Sequence, residues 1–398
     1  MNIKNRRTLV FPVCYLAYAW IYVARLNLSV SSPQLINKEI ISTDQIGVLS
    51  GTFFIIFALG RLINGKLSDK TAPYLMISAG LFFTAIGNIF FGIFPPFVIL
   101  MIMWGVNAFA QSMLWSSVLC AVTAVYGEEK APKMMSFMIT TVAFGNIAGI
   151  VVNSVLVNKF GFGAAFIIPG IIALFFSILS YFTLNSIPKP TPDMDNEYVS
   201  FVDQLANRTV RNAAYASFAH GVIKDNITVW MVMFFVNVFD TDLSKTSGFV
   251  LFIPIVGFIG RIVYPLLYKL FKENEHLVAL SGFIISAVSI APLLLKNKDM
   301  VVSLICLGVL YAAVSLINTS MISIFPLRFS HSGNVASVSG LMDFATYLGA
   351  GVGSLTLGYA ISKFGFGTMF ALFETVSVLA LFPIVYLFFK CGKSDEKY

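Results

Sequence analysis

Apolar runs, most of twenty or more residues, recur along the whole chain and are divided by short polar punctuation. They predict helices near 9–32, 44–66, 73–95, 97–125, 134–157 and 163–185 in the first half. A second set is predicted near 211–238, 245–270, 276–295, 300–326, 333–361 and 366–390. At about 1.5 Å rise per helical residue, runs of this length match a hydrocarbon layer of about 30 Å. A transmembrane barrel would instead alternate apolar and polar positions in segments of about ten residues, a pattern the chain lacks. The runs stop once, at Pro188-Lys189-Pro190-Thr191-Pro192-Asp193-Met194-Asp195-Asn196-Glu197, where proline and charge together exclude lipid. The expected fold is therefore an all-α membrane protein of twelve transmembrane helices in two six-helix bundles. Residues 1–186 and 211–398 form the halves, and 187–210 form a central loop.

Composition agrees. Of 398 residues, 58% are hydrophobic and 11% are charged, with a mean hydropathy of +0.84, where soluble domains carry about 25% charged residues. The first apolar run has no small-residue cleavage site and is long enough to remain a span, so no cleavable signal is expected. Net charge is +7, which invites a nucleic-acid reading until the basic residues are placed. Of the 26 Lys and Arg residues, eighteen fall on the side holding both termini and the central loop, and six on the other. The positive-inside bias then puts both termini in the cytoplasm, as expected of an inner-membrane protein, and explains the charge without nucleic acid. Two cations, Arg25 and Lys224, fall inside spans. Cys14, Cys120, Cys306 and Cys391 show no CxxC spacing and read as packing residues.

Three segments recur in the same order. Gly60-Arg61-Leu62-Ile63 returns as Gly260-Arg261-Ile262-Val263, and Lys159-Phe160-Gly161-Phe162-Gly163 returns as Lys363-Phe364-Gly365-Phe366-Gly367. Val23-Ala24-Arg25-Leu26-Asn27-Leu28-Ser29-Val30 parallels Val222-Ile223-Lys224-Asp225-Asn226-Ile227-Thr228-Val229 at an offset of 199. A duplicated six-span unit follows, the parallel repeat of secondary transporters.

Gly65-Lys66-Leu67-Ser68-Asp69-Lys70, between spans two and three, resembles the loop signature of the major facilitator superfamily. Thr71-Ala72-Pro73 replaces its usual glycine and basic tail, and Lys269 stands where Asp69 would repeat. Within that superfamily the chain is most similar to the organophosphate:phosphate antiporter group. The similarity is carried by Tyr22-Val23-Ala24-Arg25-Leu26-Asn27, Gln111-Ser112-Met113-Leu114-Trp115 and the 340–349 segment Gly-Leu-Met-Asp-Phe-Ala-Thr-Tyr-Leu-Gly. The resemblance implies two basic residues, in spans one and seven, that grip a substrate phosphate. Arg25 matches the first; His220 and Lys224 occupy the turn of the second, an arginine in the best-known members. Gly145-Asn146 stand where the group has a histidine.

The residues point to an anion site without the family. A charge at mid-span costs about 2.5–3.5 kcal/mol on insertion scales, so it persists only with a compensating role. Pseudo-symmetry is expected to set Arg25 and Lys224 facing one another, where an anion would relieve their repulsion; Arg offers a fork, Lys a point charge. Tyr15, Tyr18, Tyr22, Arg25, Ser29 and Ser32 make one helical stripe, and Ser217, His220, Lys224 and Thr228 another. The alternative is hydroxyls bonded between helices with Arg25 paired to a buried carboxylate. Asn107, Gln111, Trp115, Tyr311 and Asn318 are further candidates for lining such a cavity. Three carboxylates lie within spans. Asp225 points about 100° from Lys224 and is expected to pair elsewhere. Asp343 is the candidate partner of a site cation or a proton carrier, and Glu374 faces a polar gap. Asp69 with Arg61 suits a gate.

The leading expectation is alternating-access transport of a small organic anion, in the form of a phosphate ester exchanged for inorganic phosphate. The alternatives are a proton-coupled carboxylate transporter and a transporter-like sensor of a sugar phosphate. His220, His276 and His331 stand apart and no HExxH, GxSxG or P-loop motif occurs, so neither enzyme nor cofactor is expected. A monomer is expected, with the substrate and the bilayer as its partners.

Overall fold

The computed structural model describes residues 3–391 apart from 69, 94–95, 188–200, 297 and 333–334. Among the described residues, twelve helices are long and apolar enough to cross a membrane. The first six are α1 (Thr8–Asn37), α2 (Thr43–Ser68), α3 (Pro73–Gly92), α4 (Phe97–Gly127), α5 (Lys133–Phe160) and α6 (Ala164–Leu184). The others are α7 (Arg208–Phe239), α8 (Gly248–Leu270), α9 (Glu275–Leu294), α10 (Met300–Phe329), α11 (Ser337–Phe364) and α12 (Gly367–Lys390). Asp69 and the proline-rich break at 188–197 lie outside the described residues. Several helices outrun their apolar stretches. α1 continues to Asn37, because backbone hydrogen bonding carries on through its polar end, where Lys38 N still donates to Gln34 O at 3.1 Å. In α10 the α-helix ends at Asn318, passes through a π-helical turn at Thr319–Ile324 and tightens to a 3-10 segment at Phe325–Ser332.

Two compact units emerge, one holding Met1–Ser42, Thr52–Met194 and Thr241–Gly248, the other Thr43–Gly51, Asp195–Asp240 and Phe249–Tyr398. Inside the second unit, Thr43–Gly51 lies against α11: a Cβ added at Gly47 would meet Gly358 Cα at 2.5 Å. The packing scheme is duplicated. In the first unit α3 packs on α4 and α6, and in the second α9 packs on α10 and α12. Likewise α1 packs on α5 and α6, and α7 on α11 and α12. Large apolar side chains such as Phe182, Leu266 and Phe382 are exposed, as hydrocarbon contact allows.

The repeated motifs have physical reasons. Gly161 and Gly365 both have positive φ, 85° and 78°, a conformation costly for any residue with a Cβ, and each turns the chain into the next helix. Gly60 and Gly260 let helices approach: a Cβ would meet Ser112 Oγ of α4 at 2.3 Å, or the Ala312 carbonyl of α10 at 2.6 Å. On α5 and α11, Gly145 and Gly349 do the same toward the α1 and α7 backbones.

Candidate functional site

In the first unit the site is built on α1, α2 and α4. Arg25 is half-buried, and its Nε donates to Gln111 Oε1 at 3.0 Å. Its guanidinium carbon lies 5.2 Å from the Tyr22 ring centroid, 5.0 Å from Phe53 and 4.7 Å from Phe57. Among the described residues no carboxylate pairs with it. Gln111 is held in turn, its Nε2 donating to Asn107 Oδ1 at 3.0 Å, and Asn107 Nδ2 donates to Ala24 O of α1 at 3.4 Å. Both amides are buried, so both polar ends of Gln111 are spent on orienting Arg25. Tyr18 extends the aromatic wall, 5.9 Å from Tyr22 and 5.1 Å from Trp115. Tyr15 bonds instead to Thr140 of α5 at 2.8 Å.

Magnitudes explain how a lone cation survives here. Each cation–π contact contributes about 0.5–1 kcal/mol when exposed and about 2 when desolvated, and a hydrogen bond from a charged group about 1.5–3. Three rings and one bond thus offset the cost of about 2.5–3.5 kcal/mol for a charge at mid-span. The offset needs no counter-ion, and the terminal nitrogens of the fork are left with no hydrogen-bond partner among the described residues.

In the second unit α7 carries the counterpart. Lys224 Nζ lies 3.4 Å from both Asp225 oxygens, with the two side chains 18% and 13% exposed. This corrects the expectation that Asp225 pairs elsewhere: the four-carbon lysine stem bends across the roughly 100° between neighbouring helix positions. Lys224 Nζ also lies 5.7 Å from the Tyr347 ring centroid of α11. Asp343 is half-buried one turn before Tyr347, and the acid that holds Lys224 is Asp225. Thr228 Oγ1 donates to Asp225 O at 2.7 Å. His220 is fully buried, its ring near the Val314 carbonyl of α10, and so packs between helices. Asn318 is half-buried where α10 enters its π-helical turn, a deformation frequent at functional sites.

Neighbouring asparagines brace both clusters. Asn27 Nδ2 donates to Asn88 Oδ1 of α3 at 2.6 Å; Asn226 Nδ2 donates to Ala350 O of α11 at 3.1 Å, while Ser354 Oγ donates to Asn226 Oδ1 at 2.6 Å. The sequence reading missed Phe53, Phe57 and Tyr347. A signal existed for the first two: with Arg61 they form an i, i+4, i+8 stripe, and Arg61 also lies 5.9 Å from Phe57.

Residues 14–354 match the family model described as Major Facilitator Superfamily. The chain belongs to this superfamily. It is thus a multi-pass membrane protein of a transporter family rather than an enzyme. The "Probable hexose phosphate transport protein" of Chlamydia trachomatis is 21% identical, over 95% of this chain and 90% of that protein. The "Membrane sensor protein UhpC" of Escherichia coli is 22% identical, over 96% and 92%. A solved bacterial homologue of the human lysosomal transporter Spinster superposes with a TM-score of 0.76 at 14% identity, covering 98% of this chain and 96% of that one. These relatives place the superfamily member near the organophosphate:phosphate antiporter group.

Proposed function

We propose that this chain carries a phosphorylated small organic anion across the membrane in exchange for inorganic phosphate, by alternating access. The reading rests on Arg25, a cation held by three aromatic rings and one neutral amide, with no carboxylate paired to it among the described residues. A guanidinium fixed through Nε presents its other nitrogens as a fork, which suits two oxygens of one phosphate. In the second unit Lys224 is a further cation, for which an anion competes with Asp225. Tyr18, Tyr22 and Trp115 shape the wall beside Arg25, and Gln111 positions it. Asp343 and Asp69 serve the conformational cycle. The resemblance to a hexose phosphate transport protein favours a sugar phosphate as the organic partner. One chain suffices, and both termini face the cytoplasm.

The test is uptake of labelled phosphate into proteoliposomes loaded with phosphate or left empty. Exchange that requires internal phosphate, competes with hexose phosphates and disappears in Arg25→Ala supports the proposal. Uptake into empty vesicles driven only by a pH gradient assigns the chain to proton-coupled transport, with Asp343 or Asp225 as the proton carrier. The full-length likeness to a membrane sensor gives a second reading. Hexose phosphate binding with no exchange in either vesicle favours it.

A further inference from the structure

A groove between α7 and α12 lies apart from both cation clusters. Arg208 and Arg211 stand at the start of α7, and Lys390 ends α12, so this antiparallel pair brings all three cations to one membrane face. The groove has a volume of ≈ 660 Å³ and runs from the two arginines past Tyr215, Tyr386 and Phe382 to Leu379. Its lining among the described residues includes no carboxylate. Ala219 and Ala380, both buried, make its floor low, while Tyr215, Leu379 and Phe382 rise at its edges at 59%, 57% and 71% exposure. Lys390 Nζ donates to Tyr386 Oη at 3.1 Å, which brings a third cation to the polar end.

Length and charge name the occupant. From Tyr386 to Val376 the lining spans ten helical residues, about 15 Å. That is half of the hydrocarbon layer of about 30 Å, the depth of one leaflet. Arg208 and Arg211, one turn apart, share a helix face at the end where the apolar trough begins. A second groove, in the first unit, offers a contrast: ≈ 640 Å³, lined by Thr52, Ile56, Phe83, Met101 and other uncharged residues, with nothing to select a headgroup.

We propose that the α7–α12 groove binds one anionic phospholipid, its phosphate on Arg208 and Arg211 and one acyl chain along α12. α7 also carries Lys224, so the lipid braces the helix that holds the second cation cluster.

Native mass spectrometry of the full chain in neutral detergent tests this, with phosphatidylglycerol or phosphatidylcholine of the same acyl chains added. One phosphatidylglycerol is expected to be retained at least ten-fold better than phosphatidylcholine. Arg208→Gln with Arg211→Gln should abolish that preference, each single variant should cut it about three-fold, and Ala380→Leu should weaken retention of both lipids. Lys269→Gln with Lys272→Gln, exposed cations elsewhere in the second unit, should change nothing. Equal retention of the two lipids would overturn the proposal. So would an unchanged preference in the arginine variants, or an equal loss in the lysine control, which marks diffuse charge attraction. Displacement by soluble glycerophosphoglycerol at equal concentration would mark a free-phosphate site and overturn it too.

Discussion

Arg25 and Lys224 occupy equivalent positions in the two repeats, 199 residues apart, yet their surroundings solve the same problem in opposite ways. Arg25 has no carboxylate among the described residues and is stabilised by the faces of Tyr22, Phe53 and Phe57. Lys224 has one ring at 5.7 Å and a carboxylate 3.4 Å away. Two unit charges about 4 Å apart attract by about 4 kcal/mol at an effective dielectric near 20, before desolvation is subtracted. A second-unit anion must therefore compete with an acid already in place, whereas a first-unit anion meets an open fork. Duplication has supplied two cations, and on the proposed function divergence makes one a standing receptor and the other a contested partner.

Removing the fork should have the largest effect. Arg25→Ala should lower phosphate exchange in proteoliposomes about 100-fold or more, since two charge-assisted bonds at about 1.5–3 kcal/mol each are lost. Gln111→Glu comes next. It places a carboxylate against Arg25 and so converts the first cluster into a copy of the second. Phosphate competition against labelled substrate should weaken about 10–100-fold, while Gln111→Met, which only loosens the orientation, should weaken it less.

Asp225→Asn makes the reverse conversion, freeing Lys224. Phosphate should then inhibit labelled uptake at several-fold lower concentration, and Lys224→Gln should remove that gain. The smallest effect is expected from Phe57→Leu, which removes one ring of three. A single cation–π contact of about 0.5–1 kcal/mol corresponds to a two- to five-fold loss in apparent affinity.

Some of this arrangement can be read directly in the chain. A cation in an apolar run announces itself, and Gly161 and Gly365 could be paired because both stand in a recurring Lys-Phe-Gly-Phe-Gly segment, where each takes a positive φ. The cage around Arg25 could not be read so easily. Phe53 and Phe57 sit in apolar runs where a phenylalanine facing lipid looks identical, and only the i, i+4 spacing toward Arg61 sets them apart. The Lys224–Asp225 contact was hidden for another reason: helical geometry separates adjacent positions, but a long flexible side chain reaches back. His220 shares the spacing of the α7 polar stripe, yet the depth of α10 packing buries it completely, which periodicity alone cannot foresee. The π-helical turn at Thr319–Ile324 likewise left no mark in an apolar stretch.

On the proposed function Arg25 is the open anion receptor, and its planar fork, not merely its charge, does the binding. Phosphate homoexchange in proteoliposomes, comparing Arg25→Lys with Lys224→Arg, tests it most directly. Exchange should fall at least ten-fold in Arg25→Lys and stay within a few-fold of native in Lys224→Arg. Native-like exchange in Arg25→Lys, with equal amounts of folded protein in the vesicles, would mean that charge alone binds the anion and would rule the fork out.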